Sequence, residues 1–280
     1  MPSSSRSPGD AVPHAAASAG PSRPSLWMAF VICLISLLVV IAMRVPFRAR
    51  LLPAVLITVA FALIAKGLGG VTNTGAAAGF LVTSLLFVAT GPAMFAAVFL
   101  VFVLTLLATR FGRTRKQSLS VRDPAGGRDG AQVLANLGIS AIFAALSAIT
   151  PYRLPLIVGS VAALAEAACD TVSSETGKAL ARQARLITSG RIVPAGTDGA
   201  VSMPGTMFGV LAAMLLALET VLSGLLDLRR AAIVATAGIV GMLIDSLLGA
   251  TLEPRGRLSN NGVNLLSTLA AALLGTIATS

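Results

Sequence analysis

"AEAACDTVSSETGKAL", residues 165–180, lies at the end of an apolar run that begins near residue 155 and reads as a membrane span. The helix leaving the hydrocarbon then carries Glu166, Asp170 and Glu175, with Thr171, Ser173, Ser174 and Lys178 among them. Acidic groups at bilayer depth are costly, so each one marks a functional position by default.

Composition agrees with the membrane reading. Of 280 residues, 55% are hydrophobic and only 11% charged, with a mean hydropathy of +0.87. A soluble domain carries about 25% charged residues. Long apolar runs recur along the chain, which makes it an all-α polytopic membrane protein with one integral membrane domain over 26–280. The net charge of +10 does not point to nucleic acid, because Lys and Arg fall in short loops between apolar runs. Cys33 and Cys169 are too few for a disulfide framework or a zinc site, and the one histidine, His14, lies in the N-terminal stretch.

Residues 1–25, rich in Ser, Pro, Ala and Gly, read as a disordered tail. The run 26–43 is followed by Arg44 without a small-residue cleavage site, so it reads as a retained span. About nine spans are expected: 26–43, 51–65, 76–90, 92–109, 131–150, 155–172, 205–226, 231–252 and 263–279. Gly91-Pro92 divides the run 76–109, and the second span is short enough to be re-entrant. With the N-terminus inside, 15 Lys and Arg fall on the inner side and six on the outer. That bias favours a bacterial plasma membrane protein with its polar face in the cytoplasm, although Arg44, Arg48 and Arg50 oppose it.

Five segments rich in Gly and oxygen-bearing side chains fall on the inner side: 66–75, 126–136, 170–178, 196–206 and 252–264. Taken singly, each is an ordinary turn or cap. Five on one face supply backbone N–H groups, hard oxygen ligands and cations, the parts of a site for a phosphate ligand with Mg²⁺. Spacing adds detail, since Glu166, Asp170, Ser174 and Lys178 form a stripe on a continuous helix. Asp245, Gly249 and Glu253 form a similar one, and Arg128, Gln132 and Asn136 a third polar face.

The blocks "GGRDGAQVLANLG", "AEAACDTVSSETGKAL", "GTDGAVSMPGTMFG", "GMLIDSLLGATLE" and "SNNGVNLLST" resemble the integral membrane family known as domain of unknown function ninety-two. Its members include a plant phytyl-phosphate kinase and a human transmembrane protein. More distantly, "CDTVSSETGK" is similar to an element of the CTP-using lipid enzymes, among them dolichol kinase, phytol kinase and phosphatidate cytidylyltransferase. Asp170 and Thr171 match its start, Gly177 and Lys178 its end. Asp198-Gly199 stands in place of the Glu-Gly of their Glu-Gly-Thr loop, and Asp245-Ser246 matches the acidic start of their closing block. Asn260-Asn261-Gly262 replaces the metal-binding Lys-Asp-Ser-Gly of the cytidylyltransferases, which argues against cytidylyl transfer.

The resemblance implies transfer of a phosphoryl group from CTP or another nucleoside triphosphate to an isoprenyl or phytyl monophosphate in the bilayer. On that reading Asp170 and Asp245 hold Mg²⁺, Glu166 and Glu175 assist, and Lys178, Arg128 and Arg255 hold phosphates. Gly196, Thr197, Asp198, Gly199, Gly205 and Thr206 cradle the nucleotide, with Thr171, Ser174, Gly177, Asn260 and Asn261 nearby. A secondary transporter and a non-catalytic membrane protein stay open as alternatives.

Overall fold

The computed structural model describes residues 26–43, 45–118 and 127–280. The tail expected over 1–25 and Gly126 lie outside the described residues. The helices are α1 (Leu26–Ala42), α2 (Val45–Gly67), α3 (Asn73–Thr90), α4 (Pro92–Arg110), the short α5 (Arg113–Ser118), α6 (Gly130–Ile149), α7 (Arg153–Leu180), α8 (Met203–Leu222), α9 (Leu228–Thr251) and α10 (Asn260–Ile277). Between α7 and α8 lie β1 (Gln183–Leu186), β2 (Ile192–Pro194) and β3 (Ala200–Val201).

Each of the nine expected apolar runs is a helix, but among the described residues seven helices are long and apolar enough to cross a membrane. α1 is a shorter apolar helix of 17 residues. α10 falls short by composition, because Asn264, Ser267 and Thr268 form hydrogen bonds on its inner side. α2 has 23 residues where a span of 15, short enough to be re-entrant, was expected, and its Arg48–Gly67 stretch is of spanning length. The break at Gly91-Pro92 is present: Gly91 has φ +101°, and Pro92 opens α4 where its missing N–H costs nothing.

Local sequence sets the other helix starts. Thr72, Ser202 and Ser259 accept hydrogen bonds from the backbone N–H three residues on, and Asp129 forms a capping box with Gln132. Part of what reads in sequence as ligand-binding polarity is therefore capping.

α7 is the central helix, with 83% of its most apolar window buried, and it packs against α4, α6, α8, α9 and α10. Small residues permit the approach, as in other membrane bundles. A Cβ placed on Gly238 of α9 would stand 2.7 Å from Ala165 Cβ, and one on Gly209 of α8 would stand 2.8 Å from the Cys169 carbonyl. The sheet, in order β2-β1-β3 and antiparallel throughout, was not expected from sequence. Its strands of four, three and two residues are too short to show an alternating pattern.

Candidate functional site

The C-terminal ends of α2, α4, α7 and α9 and the N-terminal ends of α6 and α10 line one cavity of about 1020 Å³. The β1–β3 segment completes it through Ala184 and residues 195–202. Backbone pairing fixes one wall: Thr72 N–H donates to the Arg128 carbonyl and Arg128 N–H to the Gly70 carbonyl, each at 3.0 Å. This holds Arg128 at the start of α6, where it lines the cavity.

Asp170 of α7 and Asp245 of α9 both line the cavity, close enough for each carboxyl group to act electrostatically on the other. Ser267 of α10 donates to Asp245 Oδ2 at 3.0 Å. With its nitrogen turned toward the Asn260 carbonyl and Asp245 Oδ2, at 3.1 and 3.3 Å, the Asn264 amide accepts from Asn136 Nδ2 at 3.2 Å. Asp245 is thereby positioned by α10, and Lys178 and Arg128 exert their positive fields on Asp170.

The four acidic residues expected to serve a metal separate into three situations. Asp170 and Asp245 meet in the cavity. Glu166, one turn deeper on α7, is buried outside the lining, with Oε1 lacking a hydrogen-bond partner and Gly241 packed over its stem. Glu175 has both oxygens engaged, Oε2 by Lys116 at 2.6 Å and Oε1 by Lys178 at 3.1 Å. Among the described residues no group of three or more His, Cys, Asp or Glu is placed to hold a metal ion.

Thr171, Ser174, Gly177, Lys178, Gly196, Thr197, Asp198, Gly199 and Asn260 all line the cavity. Gly196 and Gly199 have positive φ, +93° and +68°, in a turn where Ala200 N–H donates to the Thr197 carbonyl at 3.0 Å. A Cβ on Gly199 would stand 2.3 Å from Ala250, so this turn sits directly on α9. Gly205, Thr206, Arg255 and Asn261 are not in the lining. Gly205 instead lets α8 approach α7, where a Cβ would meet the Ser173 carbonyl at 2.5 Å. Arg255 is exposed on the turn after α9.

The structure also engages cationic groups that sequence reasoning passed over, and it brings Glu253, already placed on the Asp245 stripe, to the same cavity. Arg110 and Arg113 line it, having been read only as charges that orient the chain. Arg110 also donates to the Leu68 carbonyl at the end of α2. Glu253 lines the rim near Asp198; burial, then the Asp198 carboxylate, raise it above the usual carboxylate range. Lys116 is buried, donating to the Ala108 and Thr109 carbonyls at 3.0 and 2.6 Å as well as to Glu175. It lies 59 residues from Glu175 in the chain, a distance that no helical spacing rule spans.

Comparison with known proteins places this architecture. The family model described as integral membrane protein DUF92 matches residues 56–272. An uncharacterized membrane protein of Methanocaldococcus jannaschii is 37% identical over 177 residues, 63% of this chain and 72% of that one. Protein VTE6, chloroplastic, of Arabidopsis thaliana is 32% identical over 208 residues, 71% of this chain and 62% of the relative. Protein PGR of the same plant is 30% identical over 280 residues, 82% of this chain and 96% of the relative. No solved structure matches the chain. Since the family match runs from α2 into α10 and takes in both aspartates and the loop 195–202, this chain belongs to the DUF92 family of integral membrane proteins.

Proposed function

We propose that the protein is a membrane phosphotransferase that moves the terminal phosphoryl group of CTP, or another nucleoside triphosphate, to an isoprenyl or phytyl monophosphate. The observation that carries this reading is the meeting of Asp170 and Asp245 in a cavity lined by Arg110, Arg113, Arg128 and Lys178. Two like charges about 4 Å apart at an effective dielectric of about 20 repel by roughly 4 kcal/mol, and a cation between them reverses the sign. Two carboxylates without a third suit Mg²⁺, which completes its shell with waters and substrate phosphates rather than with an all-protein cage. When bound, Mg²⁺ would neutralise the phosphate charge that develops during transfer.

Size and field support the same reading. Small-molecule sites run to about 1,000 Å³, so a cavity of about 1020 Å³ has room for a triphosphate beside an acceptor headgroup. The starts of α6 and α10 line it, adding the positive ends of two helix dipoles to the four cations.

In the reaction an acceptor phosphate oxygen attacks the γ-phosphorus, a new P–O bond forms, and the bond to the β-phosphate oxygen breaks to release the nucleoside diphosphate. The attacking oxygen carries no proton that must be removed, so a catalytic base is not needed. The residues position two anionic groups in line and screen their repulsion. Purified protein incubated with Mg²⁺, γ-labelled CTP or ATP and a panel of isoprenyl monophosphates is expected to yield labelled diphosphate. Absence of labelled diphosphate with every acceptor and both nucleotides overturns the reading.

A further inference from the structure

Beside the polar cavity lies a second one of about 80 Å³, whose own walls include Phe61, Gly79, Val98, Val101 and Leu137, and Thr83, which spends its hydroxyl proton on the Gly79 carbonyl at 2.7 Å. The two adjoin, sharing Gly70, Phe102, Thr105, Arg128, Asn136 and Thr171 in their linings. Phe61 of this lining belongs to a run of aromatic rings on α2 and α4. Phe61 lies 5.2 Å from Phe102 and 6.0 Å from Phe99, centroid to centroid, and Phe99 is 48% exposed where the bundle meets lipid.

We propose that this annex receives the first segment of a lipid tail whose anionic head sits in the polar cavity. The tail leaves for the bilayer between α2 and α4, past Phe61 and Phe99. The proposal rests on the phosphotransferase reading for the identity of the head, and it adds where the acceptor lies and how it reaches the site. Chemistry selects a hydrocarbon over the nucleotide base, because a base against these walls would leave its N–H and C=O groups unpaired. Size selects a short segment: a cavity of about 150 Å³ takes benzene, so about 80 Å³ takes a few carbons of an open chain, with the rest of a five-carbon unit in the adjoining shared space, and not a whole ring.

Gly79 supplies the test, since a Cβ placed there meets nothing within 4 Å. Gly79→Leu therefore has room for its Cβ, and the rest of its side chain competes for the annex that Gly79 lines. The full chain in nanodiscs is titrated calorimetrically with inorganic phosphate, dimethylallyl monophosphate, benzyl phosphate and CTP. Wild type is expected to bind dimethylallyl monophosphate roughly tenfold to a hundredfold more tightly than inorganic phosphate, from burial of the five-carbon unit. Gly79→Leu is expected to lose that gain while binding inorganic phosphate and CTP as wild type does. Phe61→Ala, which widens the annex, is expected to admit benzyl phosphate.

An equal gain in wild type and Gly79→Leu overturns the proposal. So does a Gly79→Leu protein that loses CTP affinity and keeps the gain, or benzyl phosphate binding that Phe61→Ala leaves unchanged. All of these readouts are binding constants. A protein that shows the expected pattern but transfers no label therefore keeps the annex and loses the phosphotransferase reading.

Discussion

Glu175 holds two lysines, and their surroundings give them different work. Lys116 is 5% exposed and spends its donors on Glu175 and on two carbonyls at the end of α4. Removing one partner of a buried pair costs up to about 3–5 kcal/mol when the other charge is left uncompensated; here Lys178 still faces Glu175, but two carbonyls of α4 lose their donor as well. Lys116→Met is therefore expected to lower the melting temperature sharply, an effect read by thermal denaturation in detergent. Lys178, whose side chain is 23% exposed and lines the cavity, gives up less. A partly exposed pair contributes about 0–1 kcal/mol, so Lys178→Ala is expected to melt near wild type and to weaken nucleotide affinity about tenfold or more. Unchanged affinity with a lower melting point would leave Lys178 a structural residue. Asp170→Asn and Asp245→Asn are expected to abolish Mg²⁺-dependent nucleotide binding without loss of folded protein, because each relieves a like-charge contact. Normal binding by both mutants would make the aspartates structural. The stripe carrying Asp170 and Lys178 was legible from its four-residue step on one helix. Lys116 was not, because its partner comes from another element.

Two elements owe their placement to missing side chains. The turn 196–199 rests on α9 through Gly199, which has φ +68° and no room for a Cβ against Ala250. Gly199→Ala is expected to lift the turn from α9 and weaken nucleotide binding, with a small change in melting because the turn lies at the edge of the bundle. Retained affinity in this mutant would remove the turn from the site. Gly205 differs, since a Cβ there strikes the backbone of α7. Gly205→Val is expected to separate α8 from α7 and destabilise the fold by a few kcal/mol, as overpacking does. The contrast marks what could be read in advance. Apolar runs fix helices one by one, so the ends expected at 43, 65, 90, 109, 150, 252 and 279 fall within two residues of those observed, while α7 runs on from the expected 172 to Leu180 and α8 stops at Leu222 rather than 226. Which glycine faces a ligand and which faces a helix depends on rotation about each axis, and that is set by packing. The small sheet was invisible for a related reason. Its strands are stabilised by pairing with one another and by β3 against α9, not by any pattern of their own.

At the scale of the whole molecule, alternation of the helices brings all the cavity-lining termini to one end, and the charges of the chain divide in the same way. Lys66, Arg110, Arg113, Arg115, Lys116, Arg128, Lys178, Arg182, Arg185, Arg191, Arg255 and Arg257 belong to segments at that end, and Arg48, Arg50, Arg153, Arg229 and Arg230 to the opposite one. Because the positive-inside bias is counted over short loops near span ends, the cavity is expected to open to the cytoplasm, where nucleotides are. Cysteine labelling in intact cells tests this. Ser189 lies in the exposed turn between β1 and β2, while Arg229 lies exposed at the start of α9 on the other side. The native cysteines, exposed Cys33 and buried Cys169, are first replaced by Ser and Ala. Ser189→Cys is then expected to react with an impermeant maleimide only after the membrane is opened, and Arg229→Cys to react from outside. The opposite pattern would place the cavity away from nucleotide. Four cations and two helix starts would then face a compartment without the proposed donor, and the phosphotransferase reading would fail at the scale of topology even with every residue-level contact intact.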